Sequence, residues 1–143
     1  GYECNYKPGT RLNKRTLELR ENLYRPMDKC VDGFDWTEDF DGKMIIDGKI
    51  FLYNFKMVCS SGGAQTRTLR DETYPFVETQ LRYIKNRKCD DIIFINVLDG
   101  NDSFKKQNFF EYLLSLEEYR DAKKYCFVGD MKQFSEYYSR LNV

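Results

Sequence analysis

Hydrophobic positions in the first half of the chain change from helical to strand spacing. In residues 10–24 one helical face collects four side chains, namely Leu12, Thr16, Leu19 and Leu23. The next stretch, FDWTEDFDGKMIIDGKIFLYNFKMV, is rich in aromatic and β-branched residues and is interrupted by Asp-Gly pairs. That pattern is typical of strands joined by tight turns, so we predict a helix followed by a hairpin, with room for a third strand.

The second half alternates helices with short apolar strands. A helix beginning near the capping box at residues 68–71 gathers one buried face from Leu69, Thr73, Val77, Gln80, Leu81 and Ile84. Pro75 is expected to kink this helix or to move its start into the next turn. DDIIFINVLDG then predicts a buried strand, SFKKQNFFEYLLSLEEYRDA a helix, KYCFVGD a strand and MKQFSEYYSRL a last helix. The order α-β-β-β-α-β-α-β-α predicts an α/β fold with a mixed central β-sheet flanked by helices.

Length and cysteine usage set the context. The 143 residues suit a single domain spanning residues 1–143. An opening of Gly-Tyr-Glu-Cys favours a processed product, a tagged chain or one domain excised from a larger protein. The cysteines Cys4, Cys30, Cys59, Cys89 and Cys126 show no C-x-x-C spacing and are odd in number, which favours reduced thiols. With no apolar segment of spanning length, we expect a cytoplasmic protein without membrane contact.

Charge and histidine content exclude whole classes of function. The formal net charge is zero although 32% of residues are charged, which argues against a purely electrostatic nucleic-acid binder. The chain contains no histidine. Catalytic triads, Cys-His pairs and histidine-ligated zinc are therefore excluded. An enzyme of this composition must move protons with carboxylate, lysine, tyrosine, cysteine or metal-bound water.

The pair Asp47-Gly48 fixes a predicted strand register. Asp-Gly suits a two-residue type I′ turn, because both turn positions need positive φ. If these residues form the turn, Asp41 lies opposite Asn54 and Asp39 lies opposite Lys56. Directly opposed β-carbons are about 4.5–5.5 Å apart, so these four residues would form one polar patch on a sheet face. Phe40 would pair with Phe55 on the other face.

Two interpretations of this patch remain open. In the first, Asp39 and Lys56 form a cross-strand ion pair and Asp41 is a turn residue before Gly42. In the second, the acids hold Mg²⁺ through oxygen ligands and Lys56 orients or activates the attacking water. A slip of one residue in the register would move every side chain to the opposite face and remove the patch.

The segments FDWTEDFDG and YNFKMVCSSGGAQTRTLRDE, followed by an amphipathic helix, resemble restriction endonucleases of the PD-(D/E)XK nuclease superfamily. The resemblance covers residues 10–98 and includes the superfamily's α-β-β-β-α-β order; the predicted C-terminal α-β-α lies outside it. It implies that Asp41 binds metal, that Lys56 is catalytic, and that the Phe55 main-chain carbonyl is a further ligand. Asn54 stands where the superfamily usually has Glu or Asp, which implies weaker Mg²⁺ binding.

The missing negative charge raises the question of a compensating acid. On the predicted first helix, Glu18 lies on a flank from which it could reach over a sheet edge into the site, whereas a surface glutamate is the plainer interpretation. Glu38 falls on the opposite strand face to Asp41 in the predicted register, which counts against it. We therefore take Glu18 as the candidate fourth ligand, beside Asp41, Asn54 and Phe55.

The loop SSGGAQTR follows Lys56 closely and offers main-chain N–H groups to an anion. Gln65, Arg67 and Arg70 are the candidate phosphate or DNA contacts. The alternative is a flexible β-α connection, in which glycines are routine.

These features together predict a Mg²⁺-dependent endonuclease acting on DNA, with Mn²⁺ able to substitute. Restriction enzymes usually dimerise to cut both strands, and nearly all are longer than this chain, so we expect a homodimer or a larger parent protein. One alternative is a catalytically inactive nuclease-fold domain that binds nucleic acid or a protein partner. A purely structural accessory domain is a third interpretation, which the balanced charge permits.

Overall fold

A computed structural model describes residues 2–6, 8–22, 35–57, 69–88, 90–99 and 108–141, and five of its strands form one mixed sheet. The strands are β1 (Tyr2–Tyr6), β2 (Arg11–Leu12), β3 (Leu19–Arg20), β4 (Gly42–Ile46), β5 (Lys49–Met57), β6 (Ile92–Asp99) and β7 (Cys126–Gly129). The sheet order is β1-β4-β5-β6-β7, while β2 and β3 form a separate small hairpin. β1, β4 and β5 are antiparallel, and β5, β6 and β7 are parallel.

Three α-helices in the described residues cover this sheet: α1 (Tyr74–Arg87), α2 (Asn108–Ser115) and α3 (Met131–Leu141). α1 and α2 lie on one face, where Val77, Leu81 and Phe110 join a buried cluster with Leu52 and Phe94. On the opposite face, the α3 residues Phe134, Tyr137 and Tyr138 pack against Phe51, Ile93, Ile95 and Phe127. The predicted α/β class, with a mixed sheet flanked by helices, is therefore confirmed.

The α-helix α1 begins at Tyr74, later than the predicted start near residues 68–71. A five-residue π-helix, Leu69–Thr73, leads into α1, and Pro75 occupies the first turn of the α-helix proper. Proline is tolerated there because its missing N–H would have no partner in the helix anyway. Of the predicted buried face, Thr73, Val77, Gln80, Leu81 and Ile84 are all buried, and the side chain of Leu69 lies outside the described residues. Thr68 of the predicted capping box lies outside the described residues.

The predicted helix over SFKKQNFFEYLLSLEEYRDA is shorter than the pattern suggested. α2 ends at Ser115, and Leu116 takes an extended conformation before 3₁₀ turns at Glu117–Tyr119 and Ala122–Tyr125. Residues 103–107 of the predicted helix lie outside the described part. The strand and helix predicted after it are both present, as β7 and α3.

The predicted helix at residues 10–24 is wrong. Residues 11–20 form the β2–β3 hairpin instead, in which Arg11 pairs with Arg20 and Leu12 with Leu19. The Asn13 side-chain oxygen accepts hydrogen bonds from the main-chain N–H groups of Arg15 (2.9 Å) and Thr16 (2.8 Å). Such local bonds compete with a helix for the same donors. The backbone then turns back through Leu17, whose φ is 60°.

The hairpin register set by Asp47-Gly48 is confirmed over the length of β4. Both turn residues have positive φ, 50° for Asp47 and 81° for Gly48. Ile46 pairs with Lys49, Met44 with Phe51 and Gly42 with Tyr53, as the turn predicts. The candidate site lies beyond this last pair, at the carboxyl end of β5.

Candidate functional site

The regular pairing of the hairpin is interrupted at Asp41. Gly42 is paired with Tyr53, and the Asp41 N–H also donates to the Tyr53 carbonyl, at 2.8 Å. Two residues of one strand therefore face a single residue of β5, which is the arrangement of a β-bulge. A bulge shifts the register of everything before it by one residue.

This shift corrects the predicted polar patch. Lys56 contacts Glu38 rather than Asp39, with 3.3 Å between Nζ and Oε2. The cross-strand ion pair of the first interpretation therefore exists, but with a different acid. Glu38, which the predicted register placed on the wrong face, is the carboxylate that lies beside Lys56.

Asp39 has a structural role in the described fold. Its two carboxylate oxygens accept hydrogen bonds from the main-chain N–H groups of Gly9 and Thr10, each at 3.0 Å. The predicted pairing of Asp39 with Lys56 is therefore wrong. Asp39 instead ties the chain before β2 to the segment that leads into β4.

Phe40 also lies on the other face from the one predicted. It is fully buried and packs against Phe76 of α1 and Phe94 of β6, with ring centroids 4.9 and 5.6 Å apart. Phe55, its predicted partner, is 44% exposed. The predicted Phe40–Phe55 pair is wrong because the bulge turns Phe40 toward α1.

Asp41 remains beside β5. Its Oδ2 accepts a hydrogen bond from the Phe55 N–H at 2.7 Å. The two acids therefore contact consecutive residues of one strand, Asp41 at the Phe55 main chain and Glu38 at the Lys56 side chain.

Asn54 in β5 is buried and is 2% exposed. Within the described part of the chain, neither its Oδ1 nor its Nδ2 has a hydrogen-bond partner. Leaving a buried amide unpaired costs about 1–3 kcal/mol, so such a group calls for an explanation. Its amide oxygen, two residues before Lys56 in β5, is a suitable donor for a hard cation such as Mg²⁺.

Glu18 does not occupy the place from which it was expected to reach the site. The helix that would have oriented it is absent, and its carboxylate binds Arg20 at 2.8 Å within the β2–β3 hairpin. The predicted placement of Glu18 on a helix flank is therefore wrong, and Glu38 is the glutamate that lies beside Lys56. Glu38 lies only three residues before Asp41 in the sequence, but it reaches Lys56 only because the bulge shifts the register.

The predicted phosphate contacts lie mostly beyond what the structure describes. Gln65 and Arg67 are outside the described residues, and of Arg70 only the main chain is described, within the π-helix. Their role in binding phosphate stays a prediction.

A cleft of about 250 Å³ opens beside Glu38. Trp36, Thr37 and Glu38 line one side, and Asp71, Glu72, Pro75 and Phe76 line the other; Lys14 is also at its wall. The cleft therefore lies between the segment that carries Glu38 and the start of α1. Over the described residues, no three Asp, Glu, Cys or His side chains lie close enough together to hold a metal ion. A cation at this site would have to take amide or main-chain oxygens as well as carboxylates.

Next to Asn54 the sheet carries a second buried amide, Asn96, which is its register partner in β6. Asn96 and Gln80 of α1 exchange two amide hydrogen bonds, of 2.7 and 3.0 Å, and Asn96 Nδ2 also donates to the Phe127 carbonyl at 3.1 Å. Burial raises the pKa of the Cys126 thiol, which stays protonated and can donate to Gln80 Oε1 at 3.5 Å. The expectation of a buried reduced thiol is thus confirmed for Cys126; the other cysteine side chains lie outside the described residues.

Comparison with known proteins adds no relative to this picture. No family model, no curated protein and no solved structure matches the chain. In the described part of the chain, none of the helices has both the length and the apolar character needed to cross a membrane.

Proposed function

We propose that this chain is a Mg²⁺-dependent endonuclease that hydrolyses phosphodiester bonds in DNA. The observation that carries the proposal is the group at the end of β5: Lys56 beside the Glu38 carboxylate, Asp41 against the Phe55 main chain, and the buried Asn54 amide without a described partner. A lysine held next to a carboxylate that lines a cleft suits hydrolysis of a phosphodiester by water.

Oxygen donors from Asp41, Asn54 and Glu38 fit Mg²⁺, and the resemblance to PD-(D/E)XK nucleases adds the Phe55 carbonyl. When bound, the cation would supply positive charge to the phosphodiester and make water more acidic. Two carboxylates and one amide carry less negative charge than three carboxylates. We therefore expect weak Mg²⁺ binding by the protein alone, strengthened when DNA phosphate is present.

Side chains of this chain would orient the attacking water and bind the scissile phosphate. Lys56 Nζ would donate hydrogen bonds that orient the attacking water and the phosphate oxygens, and Glu38 would hold that ammonium group in place. Gln65, Arg67 and Arg70 would steady the scissile phosphate from the loop that follows β5. Because the chain has no histidine, no imidazole takes part in the proton transfers.

Incubation of supercoiled plasmid and linear duplex with the purified protein tests the proposal. We expect nicking or linearisation with Mg²⁺ or Mn²⁺ and none with EDTA, because the phosphodiester needs charge neutralisation for attack by water. Single-stranded RNA in the same assay separates the two polymer classes. DNA binding without any metal-dependent cutting would contradict the enzyme and favour a catalytically inactive nuclease-fold domain.

Asn54→Asp should replace a neutral amide ligand of the cation by a carboxylate ligand. We expect Mg²⁺ affinity measured by calorimetry to rise about tenfold, because site affinity follows the charge of the ligands. Without metal the new carboxylate is a buried charge and should lower the thermal midpoint, and Mg²⁺ should restore it.

Asn96→Asp is the matched control for this change. It places a carboxylate one strand away, where the native amide already has partners in Gln80 and Phe127. Its loss of stability should be indifferent to Mg²⁺. If Mg²⁺ leaves the thermal midpoint of the Asn54→Asp variant unchanged as well, Asn54 is not part of a cation site.

A further inference from the structure

The five residues before α1 form a wider helical turn than the sequence pattern predicts. Leu69–Thr73 is a π-helix that runs directly into α1 at Tyr74. Hydrogen bonds in a π-helix join residues five apart rather than four, and single turns of this kind are rare and are frequently found at functional sites. The turn therefore calls for a physical cause and for a role.

Pro75 is the physical cause of the wide turn. If the α-helix began at the predicted capping box of residues 68–71, Pro75 would lie in its interior. There the proline has no N–H to donate to the Asp71 carbonyl four residues earlier, and its ring would collide with that carbonyl. A wider turn moves the carbonyl away from the ring, so the chain before Pro75 stays helical.

The wide turn also leaves a buried hydroxyl unpaired. Thr73, the last residue of the turn, is fully buried, and within the described part of the chain its Oγ1 has no hydrogen-bond partner. A threonine at the N-cap of a helix normally accepts a bond from a main-chain N–H, but the Thr73 side chain makes no such bond. The arrangement therefore costs stability, and native proteins concentrate such costs at functional sites.

The wide turn lies at the candidate site. Asp71 and Glu72 belong to the turn, and both line the cleft whose other side includes Glu38. Pro75 lines the same cleft. The main chain of Arg70, a predicted phosphate contact, lies in the turn as well. The width of the turn therefore determines one wall of the cleft.

An α-helical turn in the same place would form a different wall. A π-turn contains one more residue than an α-turn. Its conversion therefore rotates the residues before Pro75 by about 100° about the helix axis and moves them by about 1.5 Å. Asp71 and Glu72 would then leave their present positions at the cleft, and the Arg70 main chain would move with them.

We propose that Pro75 is a positioning residue for the candidate endonuclease site. It holds Leu69–Thr73 in the wide form, so that this turn forms the cleft wall beside the Glu38–Lys56 pair. The inference rests on the proposed function, because it takes the cleft as the place of the scissile phosphate. Pro75 has no polar side-chain atom and acts only through the shape of the turn.

Pro75→Ala restores an N–H at this position and removes the ring. We expect the new amide at position 75 to bond to the Asp71 carbonyl and to exchange with solvent at least 100-fold more slowly than an unprotected amide, as read by NMR. Turnover at saturating DNA should fall at least tenfold, because a displaced wall misplaces the phosphate relative to Lys56.

The fold should tolerate this change. Pro75 is half-buried, so the smaller side chain leaves no cavity in the core. The added helix hydrogen bond offsets the greater freedom of the unfolded chain, and the thermal midpoint should stay within about 4 °C of the wild-type value. A loss of turnover at an unchanged midpoint separates positioning from a general loss of stability.

Asn86→Ala is the matched control. It also adds an alanine to α1, but on an exposed position about 16 Å along the helix from Pro75. It should raise helix propensity slightly and leave turnover within about twofold of wild type.

Two results would overturn the role of Pro75 alone. An amide at position 75 that exchanges freely would mean that the wide turn persists without the proline. A protected amide with wild-type turnover would mean that the turn does not position the site. A wild-type protein that cuts no DNA with Mg²⁺ or Mn²⁺ would overturn the endonuclease, and the positioning role with it, so the wild-type rate distinguishes the two failures.

Discussion

Lys56→Ala is expected to lower the rate of Mg²⁺-dependent DNA cleavage by about 100-fold or more, the scale of a positioned group that takes part in proton transfer. Glu38 holds the ammonium group and lines the adjoining cleft, and the role proposed for Lys56 is to donate to a phosphate or water there. Single-turnover cleavage of a labelled duplex at saturating metal measures this rate without product release.

Stability should change little in this variant. The side chains of Lys56 and Glu38 are 24% and 39% exposed, and ion pairs with that access to water contribute about 0–1 kcal/mol. A loss of cleavage in a protein with an unchanged thermal midpoint therefore reports on the site.

Lys43→Ala is the control for the Lys56 experiment. Lys43 belongs to the same hairpin and has its own ion pair, 2.6 Å from Glu21. We expect cleavage within about twofold of wild type, since loss of an exposed pair changes little beyond its own contact. Equal cleavage rates in the Lys56 and Lys43 variants would show that Lys56 takes no part in the reaction.

The turn of the central hairpin could be predicted from two residues, and the site at its open end could not. Asp47-Gly48 sets the pairing because its positive φ values close a two-residue turn, and that pairing holds to Gly42 and Tyr53. Beyond them, Asp39 bonds to Gly9 and Thr10, and Phe40 becomes fully buried. Burying a phenylalanine contributes about 1.5–3 kcal/mol, enough to favour a bulge that turns Phe40 inward. These partners are distant in sequence, so local pattern could not show them.

The mistaken helix at residues 10–24 has a related cause. Among the described residues of the predicted helical face, Leu12 is buried, Leu19 is half-buried and Thr16 is exposed, while Leu17, outside that face, is buried. The Asn13 side chain captures two main-chain donors that a helix would have used. The helical spacing therefore predicted neither the backbone nor the full set of buried side chains, because the turn between β2 and β3 buries Leu17 and exposes Thr16.

The strand IIFINVLD was correctly predicted as buried, yet the pattern gave no reason for its asparagine. Asn96 is buried there because Gln80, on the buried face of α1, forms two amide hydrogen bonds with it across the helix–sheet interface. Each amide alone interrupts an apolar pattern, and together each supplies a hydrogen-bond donor and an acceptor to the other. Sequence spacing placed both in the core but could not match them, since the register of a helix on a sheet depends on packing.

Gln80→Leu should therefore destabilise the fold by about 2–3 kcal/mol. Gln80 is fully buried, and its loss leaves the Asn96 Oδ1 without its donor in a site closed to water. Asn96→Leu should cost at least as much, because it leaves Gln80 Nε2 and the Phe127 carbonyl without the Asn96 side chain and leaves Gln80 Oε1 with only the Cys126 thiol. Urea unfolding followed by circular dichroism measures both free energies.

The double variant Gln80→Leu, Asn96→Leu distinguishes an amide pair from general core disruption. Removing both partners leaves fewer unpaired polar groups, so its cost should be at least about 1 kcal/mol less than the sum of the single costs. Asn86→Leu, on the exposed side of the same helix, should change stability by about 0.5 kcal/mol or less. Additive costs for Gln80 and Asn96 would mean that the two amides act independently, and that Asn96 is held mainly by the Phe127 carbonyl.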